Sequence, residues 1–131
     1  MRIGIVTTWF ERGAAYVSKQ YMELLNNNEN EVYIYARGGE FKAINNDDWD
    51  KGNVYWVKDY KMPVNSTYID KHDFEYWLKT NRIETVFFNE QNWWSSILIC
   101  KELGIKTGAY IDYYTKETVP LFEVYDFLIC N

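Results

Sequence analysis

Arg2-Ile3-Gly4-Ile5-Val6-Thr7-Thr8-Trp9-Phe10-Glu11-Arg12-Gly13-Ala14-Ala15-Tyr16-Val17 is the stretch whose reading decides the fold. Ile3-Gly4-Ile5-Val6 is continuously apolar and β-branched, the pattern of a strand buried on both faces of a parallel sheet. A polar and aromatic turn comes next, and Gly13 opens a helix. Ala14, Val17, Tyr21, Leu24 and Leu25 recur there at helical spacing, with Ser18, Lys19, Gln20 and Glu23 interleaved. Asn26-Asn27-Asn28 ends the helix, because asparagine tolerates a left-handed cap.

The same alternation continues outward. Glu31–Ala36 reads as a second strand, closed by Gly38-Gly39. Residues 40 to 53 are polar and read as a loop or excursion, with Asn45-Asn46-Asp47-Asp48 and Gly52. Val54–Val57 is a short third strand, and Pro63 and Asn65-Ser66 punctuate the next stretch. Asp70 is placed to cap a helix whose apolar face is Phe74, Trp77 and Leu78. Thr85–Phe88 is the fourth strand, Trp93–Leu103 a helix stopped by Gly104, and Ile105–Ile111 the fifth strand. Val119–Val124 reads as a short helix with Pro120 in its first turn, and Asp126–Cys130 as the sixth strand.

This order predicts an α/β fold: one domain over 1–131 with a doubly wound, mostly parallel sheet and helices on both faces. With the strand order 3-2-1-4-5-6, the reversal lies between the first and fourth strands. Thr8–Gly13 and Asn89–Asn92 then line the crevice. The chain ends directly after a strand-like run, which reads as a cut inside a longer protein.

Bulk composition narrows the function classes. The chain has 131 residues, 47% hydrophobic and 19% aromatic, enough for a real core. Its net charge of -5 argues against a nucleic-acid binder, since a phosphate backbone needs a basic footprint. One bound phosphate group is not excluded. Cys100 and Cys130 lie in apolar runs without metal-ligand spacing and read as two buried free thiols, which suits a reducing cytoplasm. No signal peptide and no membrane-span-length run is legible, leaving peripheral contact with the inner face of a membrane open. His72, the only histidine, sits in Asp70-Lys71-His72-Asp73 and reads as a solvated first-turn residue. No metal cluster and no Ser-His-Asp set can be built from it.

Three strand ends carry candidate chemistry, each with a bland alternative. Arg12, Gly13, Ala14 and Tyr16 form a small-residue turn at a helix N-terminus, where free N–H groups and the dipole suit a phosphate or carboxylate. It has neither the Rossmann dinucleotide fingerprint nor a P-loop, and it also reads as a plain tight turn. Asn89-Glu90-Gln91-Asn92 is dense in hydrogen-bonding groups suited to a polyhydroxylated ligand, or a helix cap with solvated neighbours. Asp112-Tyr113-Tyr114-Thr115 puts a carboxylate beside two aromatic faces. A carboxylate there can orient or deprotonate a hydroxyl while rings pack on a sugar; the alternative is a structural loop. Of Trp9, Phe10, Tyr16, Trp93 and Trp94, two or three are expected to be open to a ligand.

The opening Arg2-to-Val17 stretch resembles the start of the group-1 glycosyltransferases, two-domain GT-B enzymes of family-4 type. Phe88-Asn89-Glu90-Gln91 and Ala109-Tyr110-Ile111-Asp112-Tyr113-Tyr114 resemble the ends of that family's fourth and fifth strands. Phe122–Cys130, with Tyr125-Asp126 before its apolar run, resembles the segment in which the domain returns toward the cleft. The family loop often has two adjacent glycines where this chain has only Gly13. A histidine commonly ends strand five where Asp112 stands here.

The resemblance implies a Rossmann-like, acceptor-side N-terminal half of a GT-B enzyme. Such an enzyme moves a sugar from a nucleotide-sugar donor to a sugar or lipid-linked acceptor, usually without a metal. A C-terminal domain of the same enzyme holds the donor, so this half is expected to be inactive alone. On that reading Asp112 is the catalytic candidate. Arg12, Gly13, Ala14, Tyr16, Glu90, Gln91, Asn92, Tyr113 and Tyr114 are the substrate-binding candidates. No cofactor is expected, and a homodimer stays open. The competing readings are a stand-alone α/β binding or regulatory subunit and an enzyme like a nucleotide-sugar epimerase.

Overall fold

The computed structural model describes residues 1–37, 43–57, 67–91, 93–111 and 114–130. Among these residues six strands form one sheet: β1 (Arg2–Thr7), β2 (Glu31–Ala36), β3 (Val54–Trp56), β4 (Thr85–Asn89), β5 (Lys106–Ile111) and β6 (Phe127–Cys130). Their spatial order is β3-β2-β1-β4-β5-β6. All five pairings are parallel. The fold is therefore the doubly wound, Rossmann-like sheet that the strand and helix order predicts. Gly38-Gly39, Pro63 and Asn65-Ser66 lie outside the described residues.

Among the described residues three helices cover the sheet: α1 (Gly13–Asn27), α2 (Lys71–Thr80) and α3 (Trp94–Glu102). A 3-10 turn, Val119–Val124, leads into β6. The core splits by face. On one side Ile5, Val32, Ile34 and Phe87 pack with Ala15 of α1. On the other Val6, Tyr35, Val86 and Phe88 pack with Phe74, Trp77 and Leu78 of α2 and Ile97 and Cys100 of α3. This is the period-2 alternation of strands buried on both faces. Gly4 is required by that packing: a Cβ there would meet the Trp77 ring at 2.5 Å.

Helix α2 behaves as its sequence indicates. The Asp70 carboxylate accepts from the Asp73 N–H at 2.9 Å, and Phe74, Trp77 and Leu78 are buried. Helix α1 differs from the expected apolar stripe. Ala15 and Ser18 are its buried residues, while Leu24 is 58% exposed. Small residues on the inward face bring the helix close to β1, and Tyr21, Met22 and Leu25 pack partly buried against the same core.

The loop or excursion expected over residues 40 to 53 is described from Ala43 onward, and within it Ala43 and Trp49 are buried in the α1-side core. The Trp9 indole donates to the Trp49 carbonyl at 2.6 Å. The Trp49 ring meets Trp9, Phe10 and Tyr16 edge-on, with the Lys19 ammonium 4.6 Å from its centre. Cys130 is exposed rather than buried, since β6 is an outer strand.

Burial pushes the Cys100 thiol up to about 12. A raised thiol pKa stabilises the fold below the unfolded value, and that contribution is lost as pH rises toward the folded one. A disulfide-exchange reagent at pH 8 is therefore expected to label Cys130 rapidly and Cys100 only on unfolding. Equal labelling of both thiols in the native protein would contradict the packing.

Candidate functional site

The strand reversal between β1 and β4 opens a cleft of about 460 Å³ at the carboxyl edge of the sheet. It is lined by Thr8, Arg12, Gly13, Ala14, Val17, Arg37, Thr67, Glu90 and Tyr110. This is the position where ligands bind open parallel sheets.

One wall is the β1–α1 turn. Arg12 stands at the helix N-cap in an extended conformation and makes no side-chain cap bond; no acidic residue occupies the first turn. The first-turn N–H groups thus lack a side-chain acceptor, and the positive end of the helix faces the cleft wall. Behind the turn a buried relay fixes the helix. Asn89 Nδ2 donates to Ser18 Oγ at 2.7 Å and to the Ala14 carbonyl at 2.8 Å, and Ser18 Oγ donates to Thr7 Oγ1 at 2.8 Å. Thr7 Oγ1 in turn donates to the Thr8 carbonyl at 2.8 Å.

The opposite wall is the β4–α3 turn, organised by Gln91. Its Oε1 accepts from Arg37 Nη1 at 2.9 Å, and its Nε2 donates to the Thr67 carbonyl at 2.8 Å and Ser96 Oγ at 3.3 Å. The Tyr125 hydroxyl donates to the Gln91 carbonyl at 3.3 Å, and Arg37 Nη1 also donates to the Glu90 carbonyl at 3.1 Å. Gln91 therefore faces inward as a tie between elements. Glu90 is exposed and carries φ of 55°, in the left-handed region that favours glycine.

Arg37, directly after β2, is the residue that sequence reasoning missed. It is only 3% exposed. Burial lowers its pKa to about 10, against the opposing pull of the Glu90 and Tyr125 charges, so it stays protonated near neutrality. Among the described residues, three buried side-chain polar atoms lack a hydrogen-bond partner: Thr8 Oγ1, Arg37 Nε and Asn89 Oδ1. They follow or end β1, β2 and β4, on one edge. An unmet buried polar atom costs about 1–3 kcal/mol, so three together mark a place where a bound molecule or ordered water completes the structure.

The structure brings Arg12, Gly13, Ala14 and Glu90 to one cleft. Tyr16 is half exposed but packs on Trp49 away from the lining, and Tyr114 is half exposed on the loop beyond β5. Asn92, Asp112 and Tyr113 lie outside the described residues. Of the five rim aromatics, Trp9 is buried, Phe10 and Trp94 are partly buried, and Tyr16 and Trp93 are exposed at 50% and 42%. His72 is exposed in the first turn of α2. Among the described residues no group of three His, Cys, Asp or Glu side chains could hold a metal ion. No helix among them is long and apolar enough to cross a membrane.

No protein-family model matches the chain, and no curated protein matches it by sequence. Solved structures do match. MurG from Acinetobacter baumannii superposes with a TM-score of 0.67 at 11% identity, covering 98% of this chain and 40% of MurG. An alpha-glucosyltransferase in complex with UDP and a 13-mer DNA containing an HMU base gives 0.55 at 14% identity, covering 99% of this chain and 37% of that one. The GsuK RCK domain gives 0.57 at 14% identity, covering 98% and 25%. The chain thus spans well under half the length of these structures and shares their fold. What they share is the Rossmann-like parallel sheet covered by helices, the fold that the strand order predicts.

Replacing Glu90 with glycine relieves the left-handed backbone and is expected to stabilise the protein by about 1 kcal/mol. Urea denaturation with an unchanged m-value would check this. A destabilisation instead would mean that the Glu90 side chain supports the fold.

Proposed function

We propose that this chain is the acceptor-side half of a glycosyltransferase that moves a sugar from a nucleotide-sugar donor to a sugar or lipid-linked acceptor. The observation that carries this reading is the cleft itself: the orphaned Thr8, Arg37 and Asn89 atoms share the edge that Gly13 and Glu90 line. The likeness in fold to MurG and to an alpha-glucosyltransferase supports it.

Each residue has a physical task in this proposal. The α1 N-terminus at Gly13 and Ala14, with Arg12, holds negative charge on donor or acceptor. Glu90 and Asn92 accept from or donate to acceptor hydroxyls, with Gln91 fixing their turn from below. Tyr113 and Tyr114 offer rings to sugar faces, while Tyr16, packed on Trp49, steadies the turn from outside the cleft. Asp112, the residue after β5, orients the attacking hydroxyl and takes its proton as the new glycosidic bond forms and the donor's bond from anomeric carbon to phosphate oxygen breaks, the nucleotide leaving with that electron pair. The donor is held chiefly by a partner domain of the same enzyme, so that both walls close only together. The acceptor is not a nucleic acid, given a net charge of -5. The site of action is the cytoplasm, with peripheral contact at the inner membrane face if the acceptor is lipid-linked.

The GsuK RCK likeness favours a second reading, a binding module without transfer chemistry, because the sheet alone does not choose between them. The two part on activity. The native gene product, given a panel of nucleotide-sugars and acceptors, is expected to transfer sugar, and Asp112→Asn to lower that rate by about 10²–10⁴-fold. Ligand binding without turnover would favour the binding module. Epimerisation without any acceptor would overturn the transferase.

A further inference from the structure

We propose that the cleft between β1 and β4 takes an oxyanion, a phosphate or carboxylate group of a small-molecule ligand, with Arg37 as its cationic partner. The inference rests on the transferase reading only in taking this cleft as the ligand site.

Arg37 is a buried charge with no described ion pair, the Glu90 carboxylate being the charge that acts on it from the rim. It is almost wholly enclosed, yet its described hydrogen bonds run only to neutral acceptors, the Glu90 carbonyl and the Gln91 side-chain oxygen. Both use Nη1, and Nε has no partner. The described ion pairs are Arg2 with Glu31 and Lys79 with Glu75, and neither reaches this cleft. Burying a cation is costly unless it is paired. A guanidinium presents donors in a fixed plane that matches an oxyanion.

Two further groups converge on the same space. Thr8 Oγ1 is buried, unpartnered and lines the cleft beside Arg37. The first turn of α1, which opens at the lining residues Gly13 and Ala14, has no side-chain cap and no acidic residue. A cation, a hydroxyl and a helix N-terminus form a complete oxyanion receptor. The Glu90 carboxylate on the rim opposes the anion, so removing its charge must tighten binding.

Titration of the protein with inorganic phosphate and, separately, acetate at low ionic strength tests this, read by calorimetry and by amide shifts at Thr8, Gly13 and Arg37. Saturable binding is expected, weakened by salt. Arg37→Gln is expected to weaken it at least about tenfold, the worth of one charge-assisted hydrogen bond. Glu90→Gln is expected to strengthen it. Because Arg37 also ties down the β4 turn, Thr8→Val is the second variant. It removes a hydroxyl that bonds nothing in the fold, and it is expected to weaken binding while circular dichroism stays native. Preference for phosphate over acetate assigns a phosphate group, and the reverse a carboxylate. Absence of saturable binding by either anion overturns the proposal, as does unchanged affinity in a folded Arg37→Gln protein. Anion binding in a protein that transfers no sugar overturns the transferase instead.

Discussion

Arg37 and Gln91 hold each other across the point where the strand order reverses, and the shape of the cleft depends on that contact. The guanidinium arrives from the tip of β2, and the amide from the turn after β4. Between them lies the tip of β1, which pairs with both strands. The Gln91 side chain passes the constraint on to Thr67 and Ser96, and its main-chain carbonyl accepts from Tyr125, so segments from four parts of the chain meet at one buried residue. Buried polar networks of this kind specify one arrangement because each member left unpaired is costly.

The rest of the site is built against that frame by close packing. The Asn89–Ser18–Thr7 relay locks α1 onto β1 and β4, which sets where the helix N-terminus points. Trp49 closes the outside of the same turn, holding Trp9, Phe10 and Tyr16 in an aromatic cluster. Two of the three unpartnered buried atoms, on Thr8 and Arg37, belong to residues lining the cleft, and the third, on Asn89, lies at the end of β4 on the same edge. A preorganised site with unsatisfied groups favours whatever supplies the missing partners, since little reorganisation opposes binding.

Much of this was legible in the residues. The continuously apolar runs Ile3–Val6 and Val86–Phe88 mark central strands, because only a strand covered on both faces tolerates such continuity. Asp70, three residues before Asp73, announces the start of α2. The edge that carries Gly13 and Glu90 followed from the strand order. Other features were hidden for physical reasons. Arg37 reads as an ordinary solvated charge at a strand end, and only burial distinguishes it. Trp49 sits among asparagines and aspartates, so local composition conceals a core residue. Asn89 and Gln91 are two of four adjacent polar residues, and their inward turn is settled by distant partners, Ser18 for Asn89 and Arg37, 54 positions away, for Gln91. Cys130 lies in an apolar run whose strand falls at the sheet's outer edge, a fact of topology and not of pattern.

The central claim is that the carboxyl edge of the sheet, at the β1–β4 reversal, is where this protein meets its ligand. A crystal structure of the protein soaked with a nucleotide-sugar and a phosphorylated sugar tests it directly. The account predicts ligand density within hydrogen-bonding distance of Arg37 Nε and Thr8 Oγ1, against the first turn of α1. Density instead in the aromatic hollow formed by Tyr33, Tyr55, Tyr76 and Trp77 would contradict it, and the orphaned atoms would then be sites for water alone.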